Sequence, residues 1–533
     1  MCETKRLIKC ERQRKVNDLL LICGTIFLLL IISITFISAV QVIRLLLTRT
    51  VDPIQIIHIE SQKPAVYQTN ERFLSMGLDS AIIAEGFKHF NMTNEKLITM
   101  VQYLSPAYIR IGGNLADKLF FSVSETEDDI QEYYRTYYDE SEFSYIPLFP
   151  NYTMTGTQWL MLTTFAKKAV LDVFFDLNSL IRFTNGSWDY RNAETLIQFS
   201  NDHNLEVNWE LGNEPNSFHH KFNETVNATQ MAKDFGTLRA ILNKFPMYKD
   251  SLLVGPDVTR PEDNHKESEI YLKEFVKNAG HIVNAITFHQ YYLNGRTASL
   301  EDFLNPEVFN YLEFQIKKAQ EIVRSSNIID KPLWLGETAS AYGGGAPNLT
   351  DTFVGSFLWL DKLGLSAKLG INLLMRQSIF RGNYSLLDDN YDPNPDWWIS
   401  IFYTRLVGNR VVPFNLVSSP KVRFYVHCMH DFPNSITLFG MNLDEKIAKI
   451  RIEGIFPNVS MEYLKVYGFH LTSYGSLKSK TILMNGKPLK MLPGNKMPKL
   501  YPKEMNIRPY IEVPPLTIVF WFIDVKVKAC DFS

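Results

Sequence analysis

The spacing of apolar and polar residues divides the chain into three regions. Leu19 to Val40 is one uninterrupted run without a charged residue. From about residue 71, short apolar runs alternate with stretches in which apolar residues recur every three or four positions. After about residue 407, apolar residues recur at every second position. These patterns predict a long apolar helix, a mixed region of strands and helices, and an all-β region, in that order.

The middle region contains eight short apolar runs at the spacing of strand–helix units, and helical patterns such as Ala228 to Leu242 lie between most of them. Near-continuous apolar strands with helices between them are typical of a parallel sheet that is buried on both faces. The fold class predicted for residues 71–406 is therefore α/β, a (β/α)8 TIM barrel. The eight runs are Phe73 to Asp79, Ala107 to Gly113, Asp172 to Asn178, Val207 to Pro215, Leu252 to Asp257, Ala285 to Tyr292, Pro332 to Thr338 and Asn372 to Ser378.

Residues 407–533 predict an appended C-terminal antiparallel β-sandwich, because runs with a period of two are separated by Gly, Asn and Pro turns. The predicted strands are Val422 to Cys428, Ser435 to Leu443, Ile447 to Ile455, Tyr463 to Phe469, Thr481 to Asn485 and Thr517 to Ile523.

The N-terminal run is long enough to cross the apolar core of a bilayer as a helix, which needs about 20 residues. Lysines and arginines crowd the residues before it, and such residues favour the cytosolic side. The sequence predicts a transmembrane signal anchor, with cleavage after Ser38-Ala39 as the alternative. The predicted boundaries are 1–18 for a cytosolic basic tail, 19–43 for the anchor and 44–70 for a juxtamembrane stretch, whose run Ile54 to Ile59 is a candidate strand of the sandwich.

This orientation predicts a single-pass type II membrane protein with an extracellular or lumenal (lysosomal or secretory) catalytic region, or a secreted protein if the anchor is cleaved. Outside the tail and anchor only Cys428 and Cys530 remain, and an oxidising compartment favours a disulfide between them. Two free buried thiols are the alternative. Eight Asn-x-Ser/Thr acceptors also suggest a secretory route. They are Asn91, Asn151, Asn185, Asn223, Asn227, Asn348, Asn383 and Asn458.

Composition adds little about partners. A net charge of -2 gives no indication of a nucleic-acid partner, and the sequence has neither metal-ligand spacing nor a cofactor motif. One segment, residues 121–150, is strongly acidic and contains Arg135 as its single basic residue. A solvated loop or helix and an anionic flap over a basic cleft are both open interpretations of this acidic insertion.

Two glutamates follow apolar strands in similar contexts. Glu214 ends the fourth predicted strand within Gly212-Asn213-Glu214-Pro215, and Glu337 ends the seventh after Trp334-Leu335-Gly336. Catalytic groups of a TIM barrel lie at the C-terminal ends of its strands. A retaining glycosidase needs two carboxyl groups about 5–5.5 Å apart. The sequence therefore predicts Glu337 as the nucleophile and Glu214 as the acid/base, with a pKa raised by burial and by a neighbouring carboxylate.

Residues next to these glutamates are candidates for substrate contacts. Asn213 can hydrogen-bond a sugar 2-OH. Tyr291 can hold the nucleophile, and Arg296 can pair with a substrate carboxylate or sulfate. Tyr342-Gly343-Gly344-Gly345 exposes backbone N–H groups to sugars or anions. The alternatives are buried barrel residues and an ordinary glycine-rich loop.

These residues strongly resemble those of the heparanases, the endo-β-glucuronidases of glycoside hydrolase family 79. The resemblance implies retention of configuration, cleavage of glucuronosyl bonds inside heparan sulfate, and the same roles for Glu214 and Glu337. The matching runs are Trp209 to Phe218, Tyr291 to Thr297, Glu301 to Pro306, Trp334 to Pro347 and Trp359 to Ala367. The implied glycan contacts are Asp79, Asn213, Tyr291, Arg296, Tyr342, Gly343, Gly344, Gln377 and Tyr384.

The chain departs from that family in its charges. Glu262 and Asp263 stand where the family has a basic run, and the acidic insertion is shorter than the family's excised linker. The sequence predicts a membrane-tethered retaining endo-β-glucuronidase whose partner is heparan sulfate or a related acidic glycan. An exo-acting β-glucuronidase on less sulfated glucuronides and a catalytically silent heparan-binding relative are the alternatives.

Overall fold

The computed structural model describes residues 2–47, 53–125, 152–262, 266–326, 328, 331–455 and 465–531. Most of the acidic insertion, residue Asp263 and the sequons at Asn151 and Asn458 lie outside them. The chain forms two compact units, Met1–Pro53 and Ile54–Ser533.

The N-terminal unit contains one helix, Cys2–Leu47. Its segment Gln13–Phe36 has 24 residues and a high mean hydropathy, and none of the side chains described there is buried. A helix of this length and composition fits a signal anchor and a signal sequence equally, so the topology predicted for this region stays a prediction.

The second unit is built around eight parallel strands. The strands are β1 (Leu74–Asp79), β2 (Ala107–Gly112), β3 (Leu171–Leu177), β4 (Val207–Leu211), β5 (Val254–Val258), β6 (Ala285–Asn294), β7 (Leu333–Tyr342) and β8 (Ile371–Arg376). Their order in the sheet is β4-β3-β2-β1-β8-β7-β6-β5, and the isolated parallel bridge Trp209↔Leu253 brings β4 and β5 together. The predicted TIM barrel is confirmed.

Helices follow most barrel strands, and several begin at polar residues that cap them. The Asn94, Asn227 and Asn305 side chains accept N-cap hydrogen bonds, and Thr155 forms a capping box with Gln158. The longer helices are Glu95–Gln102, Gly156–Lys168, Arg191–Asp202, Ala228–Leu242, Glu267–Ala279, Pro306–Ser325, Gly355–Lys368 and Pro395–Leu406. Shorter helical segments are Ala81–Ala84, Ala116–Lys118, Pro215–Ser217, Phe218–Phe222, Asp302–Leu304 and Lys528–Cys530.

Side chains inside the barrel form layers, because alternate residues of a strand point to the same face. An apolar layer that includes Tyr108, Phe174 and Trp334 fills one end. Two positions further along their strands, Arg110 and Asp176 form a buried charged layer. This arrangement leaves the space above the charged layer for a polar cavity at the C-terminal ends of the strands.

Two further sheets form the β-sandwich. The four-stranded sheet has the order Phe414–Val417, Gln55–Ile59, Ala448–Glu453 and Ile511–Val513. The larger sheet has nine strands, of which Lys503–Asn506 pairs beside Lys465–Ser473. Its other strands, in spatial order, are Tyr67–Gln68, Val407–Val411, Val422–Met429, Phe432–Asn442, Thr517–Asp524, Lys465–Ser473, Ile482–Met484 and Lys487–Pro488. A separate two-stranded sheet pairs Leu119–Ser122 with Tyr152–Thr155.

Cys428 and Cys530 are joined by a disulfide, as predicted, between the strand Val422–Met429 and the C-terminal segment Lys528–Cys530. Each of the six acceptor asparagines within the described ranges is exposed, which is compatible with glycosylation. Their modification stays a prediction. They are Asn91, Asn185, Asn223, Asn227, Asn348 and Asn383.

Helix Gly355–Lys368 lies between the barrel and the sandwich, and nearly all of its residues are buried. Its Asp361 accepts a 2.6 Å hydrogen bond from the Tyr425 hydroxyl and pairs with Arg423. The sandwich is therefore tied to the barrel by buried polar contacts as well as by apolar packing.

Candidate active site

A cavity of about 680 Å³ opens at the C-terminal ends of the barrel strands, and both Glu214 and Glu337 line it. The cavity contacts nine of the eleven residues predicted for catalysis and glycan binding. They are Asp79, Asn213, Glu214, Tyr291, Glu337, Tyr342, Gly343, Gly344 and Tyr384. Gln377 is buried behind the wall and donates a 3.1 Å hydrogen bond to Asp79. Arg296 is exposed and is not part of the cavity lining.

Glu337 lies on β7 at an irregularity in the pairing with β6, where its register partner is His289. Tyr291 donates a 2.6 Å hydrogen bond from its hydroxyl to Glu337 Oε1. Arg110 donates a 3.0 Å bond from Nη1 to Glu337 Oε2. Both carboxylate oxygens are thus held by donors, which fixes the orientation of the side chain.

Glu214 is positioned by a sharp turn at the end of β4. Gly212 has a φ of 79°, and a Cβ there would lie 2.5 Å from Ser179 Oγ, so only glycine fits. Glu214 itself has a φ of 55° and a ψ of 56°. This left-handed conformation costs a non-glycine residue about 1–2 kcal/mol. A 3.0 Å hydrogen bond from the Glu214 backbone N–H to the Asp257 carbonyl helps to hold it.

Two nitrogen groups contact the Glu214 carboxylate. Lys221 forms an ion pair with Oε2, and His289 Nδ1 lies 3.0 Å from Oε1. Burial alone would raise the pKa of Glu214, but the Lys221 charge and the His289 hydrogen bond outweigh it and lower the pKa. The expectation of a raised pKa at Glu214 is wrong, because the sequence did not indicate that Lys221 lies against this carboxylate.

His289 is buried between two carboxylates, with Nδ1 facing Glu214 and Nε2 lying 3.4 Å from Asp257 Oδ1. Burial alone would lower the pKa of His289. The Glu337 charge, the neighbouring Asp257 carboxylate and the hydrogen bond to Glu214 raise it to about 9 instead. The imidazole is therefore cationic at neutral pH, and it brings a proton to within hydrogen-bond distance of Glu214.

Arg110 is fully buried beneath the cavity among four carboxylates. Its guanidinium lies 2.6 Å from Glu210, 3.0 Å from Glu337, 3.4 Å from Asp257 and 3.5 Å from Asp176. One cation cannot balance four buried anions. Burial, together with neighbouring carboxylates, accordingly raises the pKa of Asp176 well above its usual range and that of Glu210 to about 8. Protonation of these two acids leaves the Arg110 charge available to Glu337.

The floor of the cavity beside Glu337 contains Asp79. Burial and the Glu337 charge raise the pKa of Asp79 to about 6, although a hydrogen bond from the Ala81 backbone opposes the shift. Asn213 is fixed by a 3.0 Å bond from Arg110 to its Oδ1 and a 3.1 Å bond from its Nδ2 to Asn114. These polar groups are oriented before any sugar binds.

The rim of the cavity carries an aromatic and cationic cluster. The Tyr342 ring packs edge-on against Tyr291 at 6.4 Å, and the Arg260 guanidinium lies 5.1 Å from the Tyr342 ring centre. Arg260 also pairs with Glu262. A flat aromatic face beside a cation suits a sugar ring that bears an acidic group.

Arg110 and Lys221 were not among the predicted site residues. The sequence does indicate Arg110 as a candidate, since it is the one charged residue in the apolar strand β2 and a buried guanidinium needs partners. The sequence does not indicate Lys221, which lies seven residues after Glu214. Whether its ammonium reaches the Glu214 carboxylate depends on how the segment Pro215–Phe222 turns.

The chain matches known carbohydrate-active proteins over most of its length. Residues 81–364 match the N-terminal domain of glycosyl hydrolase family 79. A heparanase of Bos taurus is 35% identical over 496 residues, which cover 86% of this chain and 89% of its own length. A hyaluronoglucuronidase of Hirudo nipponia is 31% identical over 88% of this chain and 98% of its own. An inactive heparanase-2 of Homo sapiens is also 31% identical, over 89% of each chain.

Solved structures share the fold at lower sequence identity. A 4-O-α-L-rhamnosyl-β-D-glucuronidase from Fusarium oxysporum superposes with a TM-score of 0.63 and 14% identity, over 87% of this chain and 99% of that one. At this level of identity the match concerns the architecture alone.

Proposed function

The chain belongs to glycosyl hydrolase family 79 and is a glycoside hydrolase, and we propose that it is a retaining endo-β-glucuronidase that cleaves internal glucuronosyl bonds of heparan sulfate. In this proposal Glu337 is the nucleophile and Glu214 is the acid/base. The substrate class rests on the heparanase relatives and on the polar, partly cationic cavity wall.

One observation supports this assignment most directly. His289 and Tyr291 lie two positions apart on β6, so their side chains point to the same side of the strand. His289 contacts Glu214 and Tyr291 contacts Glu337. The two carboxylates therefore contact neighbouring side chains of one strand and line the same cavity, which supports their pairing in a double displacement.

The two carboxylates also differ in the way that their roles demand. Glu337 accepts hydrogen bonds from a guanidinium and a phenol, neither of which releases its proton near neutral pH. Glu214 contacts an ammonium and an imidazolium, both of which can exchange protons. This difference favours Glu337 as the nucleophile and Glu214 as the group through which protons move.

In the first step Glu337 attacks the anomeric carbon, and a glycosyl–enzyme ester forms as the bond to the leaving oxygen breaks. Glu214 delivers a proton to that oxygen. In the second step a water molecule attacks the anomeric carbon and passes its proton to Glu214. The ester bond to Glu337 breaks in this second displacement, so the configuration is retained. The proton on Glu214 then returns to the cation that supplied it, and both carboxyl groups are again ionised.

The proton for the first step is drawn from the cations around Glu214, since Glu214 is ionised in the free enzyme. Loss of charge at Glu337 during attack removes one of the interactions that raise the pKa of His289. The imidazolium then holds its proton less tightly, and transfer through the 3.0 Å contact to Glu214 becomes easier.

The charge of the cavity wall favours a second class of substrate. Glu262 and Glu267 line the cavity together with the cations Lys221 and Arg260, so the wall is of mixed charge. Such a wall repels highly sulfated chains more than a uniformly basic one does. Together with the hyaluronoglucuronidase relative, this favours less sulfated glucuronides, cleaved internally or from the chain end, as the alternative substrates.

The alternative that is not an enzyme is a catalytically silent glycan-binding protein, and the similarity to the inactive heparanase-2 proteins supports it. The presence of both carboxylates, each with its supporting hydrogen bonds, argues for turnover.

We also propose that helix Cys2–Leu47 tethers the enzyme to a membrane with the catalytic unit outside the cytosol.

Product analysis on heparan sulfate oligosaccharides of defined length and sulfation tests the proposal, with release from a small aryl glucuronide measured in parallel. Internal cleavage products and weak release from the aryl glucuronide are expected. The variant Glu337→Gln should lose turnover and keep oligosaccharide binding. Single sugars released from the chain end would favour the exo-acting alternative, and binding without cleavage by the unaltered enzyme would favour the silent one.

A further inference from the structure

Two histidines and a glutamate meet at the edge of the cavity, where neither the family resemblance nor the proposed reaction gives them a role. His219 and His220 lie on the short helix Phe218–Phe222, and Glu267 is the first residue of helix Glu267–Ala279. One ligand atom from each of the three lies within 4.8 Å of the others. All three side chains are exposed, so an ion from solvent can reach them.

The distances between these atoms fit a small transition metal. His219 Nε2 lies 3.4 Å from Glu267 Oε1, and His220 Nε2 lies 4.0 Å from Glu267 Oε2. In a tetrahedral zinc site with bonds of about 2.0–2.1 Å, neighbouring ligand atoms are roughly 3.3–3.5 Å apart. The His219 contact already has this separation. The His220 contact is wider and involves the other carboxylate oxygen, so the exposed His220 side chain has to move for three ligand atoms to reach one ion.

The types of ligand atom restrict the metal ions that this site can bind. Two imidazole nitrogens and one carboxylate are ligands that suit zinc, copper or nickel, whereas calcium and magnesium take mostly oxygen ligands. Two histidines with one glutamate also form the three-ligand set of some zinc enzymes, in which the fourth position stays open. The ligands come from segments on either side of β5, which explains why the sequence shows no metal-ligand spacing.

We propose that His219, His220 and Glu267 form a binding site for a divalent transition metal ion of the zinc class at the rim of the cavity. His220 and Glu267 line the cavity, so a bound ion would add positive charge to its wall. Its open position could accept water or an anionic oxygen of a bound glycan. The ion would also crosslink the segment that carries Lys221 to the helix after β5. The site stands independently of the catalytic assignment.

Titration calorimetry of the full-length protein with zinc, after treatment with a chelator, tests this proposal. One zinc ion per chain is expected, with no comparable response to magnesium. His219→Gln with His220→Gln, and separately Glu267→Gln, should each lower zinc affinity at least about tenfold, because even partners of metal ligands contribute that much. His281→Gln, which changes an exposed histidine elsewhere, is the matched control and should leave the affinity unchanged.

A second readout depends on the coordination itself. Cobalt(II) bound in a tetrahedral site absorbs visible light strongly, so the unaltered protein should gain such absorption and the double histidine variant should not. Absence of zinc binding, or binding that survives in both the histidine and the glutamate variants, would overturn the proposal. No glycan is present in either measurement, so the result does not depend on whether the proposed reaction is correct.

Discussion

At the scale of single residues, the Tyr291 hydroxyl is the group whose removal most selectively disturbs the proposed nucleophile. Its 2.6 Å hydrogen bond to Glu337 involves a charged acceptor, and such bonds contribute about 1.5–3 kcal/mol. Tyr291→Phe should therefore lower kcat/KM about ten- to a hundredfold, with most of the loss in kcat. Steady-state kinetics on a small glucuronide measures this. Tyr342→Phe, which keeps the ring beside Tyr291, is the control, and equal losses in the two variants would count against a role for Tyr291 at the nucleophile.

Lys221 controls the charge state of the proposed acid/base, because its ammonium lowers the pKa of Glu214. Removing a positive charge from this cluster makes it hold its remaining proton more tightly. The group that must be protonated for the first step sets the alkaline limb of the kcat/KM profile. Lys221→Gln should therefore move that limb to higher pH, whereas Lys221→Arg should leave it close to its original position. A limb that stays in place in Lys221→Gln would show that Lys221 does not tune the proton donor.

The two glutamates could be predicted because each follows a strand with a recognisable ending, Gly-Asn-Glu-Pro or Trp-Leu-Gly-Glu. The charge balance around them could not be predicted in this way. Lys221, Asp257 and His289 come from three separate segments, and only the closed barrel brings them to Glu214. The direction of the pKa shift at Glu214 was missed for this reason.

At the scale of elements, helix Gly355–Lys368 has a residue whose small size is required by packing. A Cβ on Gly364 would overlap the Tyr425 ring of the sandwich. Gly364→Ala should destabilise the protein by about 1–3 kcal/mol, the usual cost of overpacking a core. The midpoint of thermal unfolding measures the change.

The matched control for that substitution is Gly236→Ala in helix Ala228–Leu242, where the nearest neighbour of a new Cβ is Ile282 at 3.7 Å. Alanine is favoured over glycine within a helix by about 0.5–1 kcal/mol, so the control should be neutral or slightly stabilising. Similar losses in both variants would mean that the contact between Gly364 and Tyr425 does not limit the packing.

The strands and helices were largely predictable, because apolar periodicity persists through every barrel element. The position of Gln55–Ile59 in its sheet was harder to obtain. This strand pairs parallel with Ala448–Glu453 and antiparallel with Phe414–Val417. Both partner strands follow the barrel in the sequence, whereas Gln55–Ile59 precedes it. Its run of apolar residues suggested a strand, but pairing over such a separation leaves no local signal.

At the scale of the whole molecule, the sandwich should make the protein sensitive to acid. Burial lowers the pKa of His427 to about 4, although a hydrogen bond to the Gly408 carbonyl opposes the shift. The unfolded chain takes up this proton near pH 6.5 and the folded chain only near pH 4. The contribution of His427 to the free energy of unfolding is therefore fully present above about pH 6.5. It is lost as the pH drops towards 4, and the loss amounts to about 3 kcal/mol.

Thermal unfolding at pH 7 and pH 4.5 tests this contribution. His427→Asn removes the titrating group, and its amide N–H can replace Nδ1–H as the donor to Gly408. The difference between the two midpoints should shrink in this variant and should remain in His58→Asn, a substitution on the exposed side of the sandwich. An undiminished difference in His427→Asn would assign the acid sensitivity to other groups.

In the proposed double displacement, Glu337 forms a covalent bond to the sugar while Glu214 moves the proton. A 2-deoxy-2-fluoro glucuronide with a good leaving group slows the second step and lets the ester accumulate, so peptide mass mapping of the inactivated protein can locate it. We expect one sugar per chain, attached to the peptide that contains Glu337. A label on any other residue, or no label together with a product of inverted configuration, would contradict this assignment.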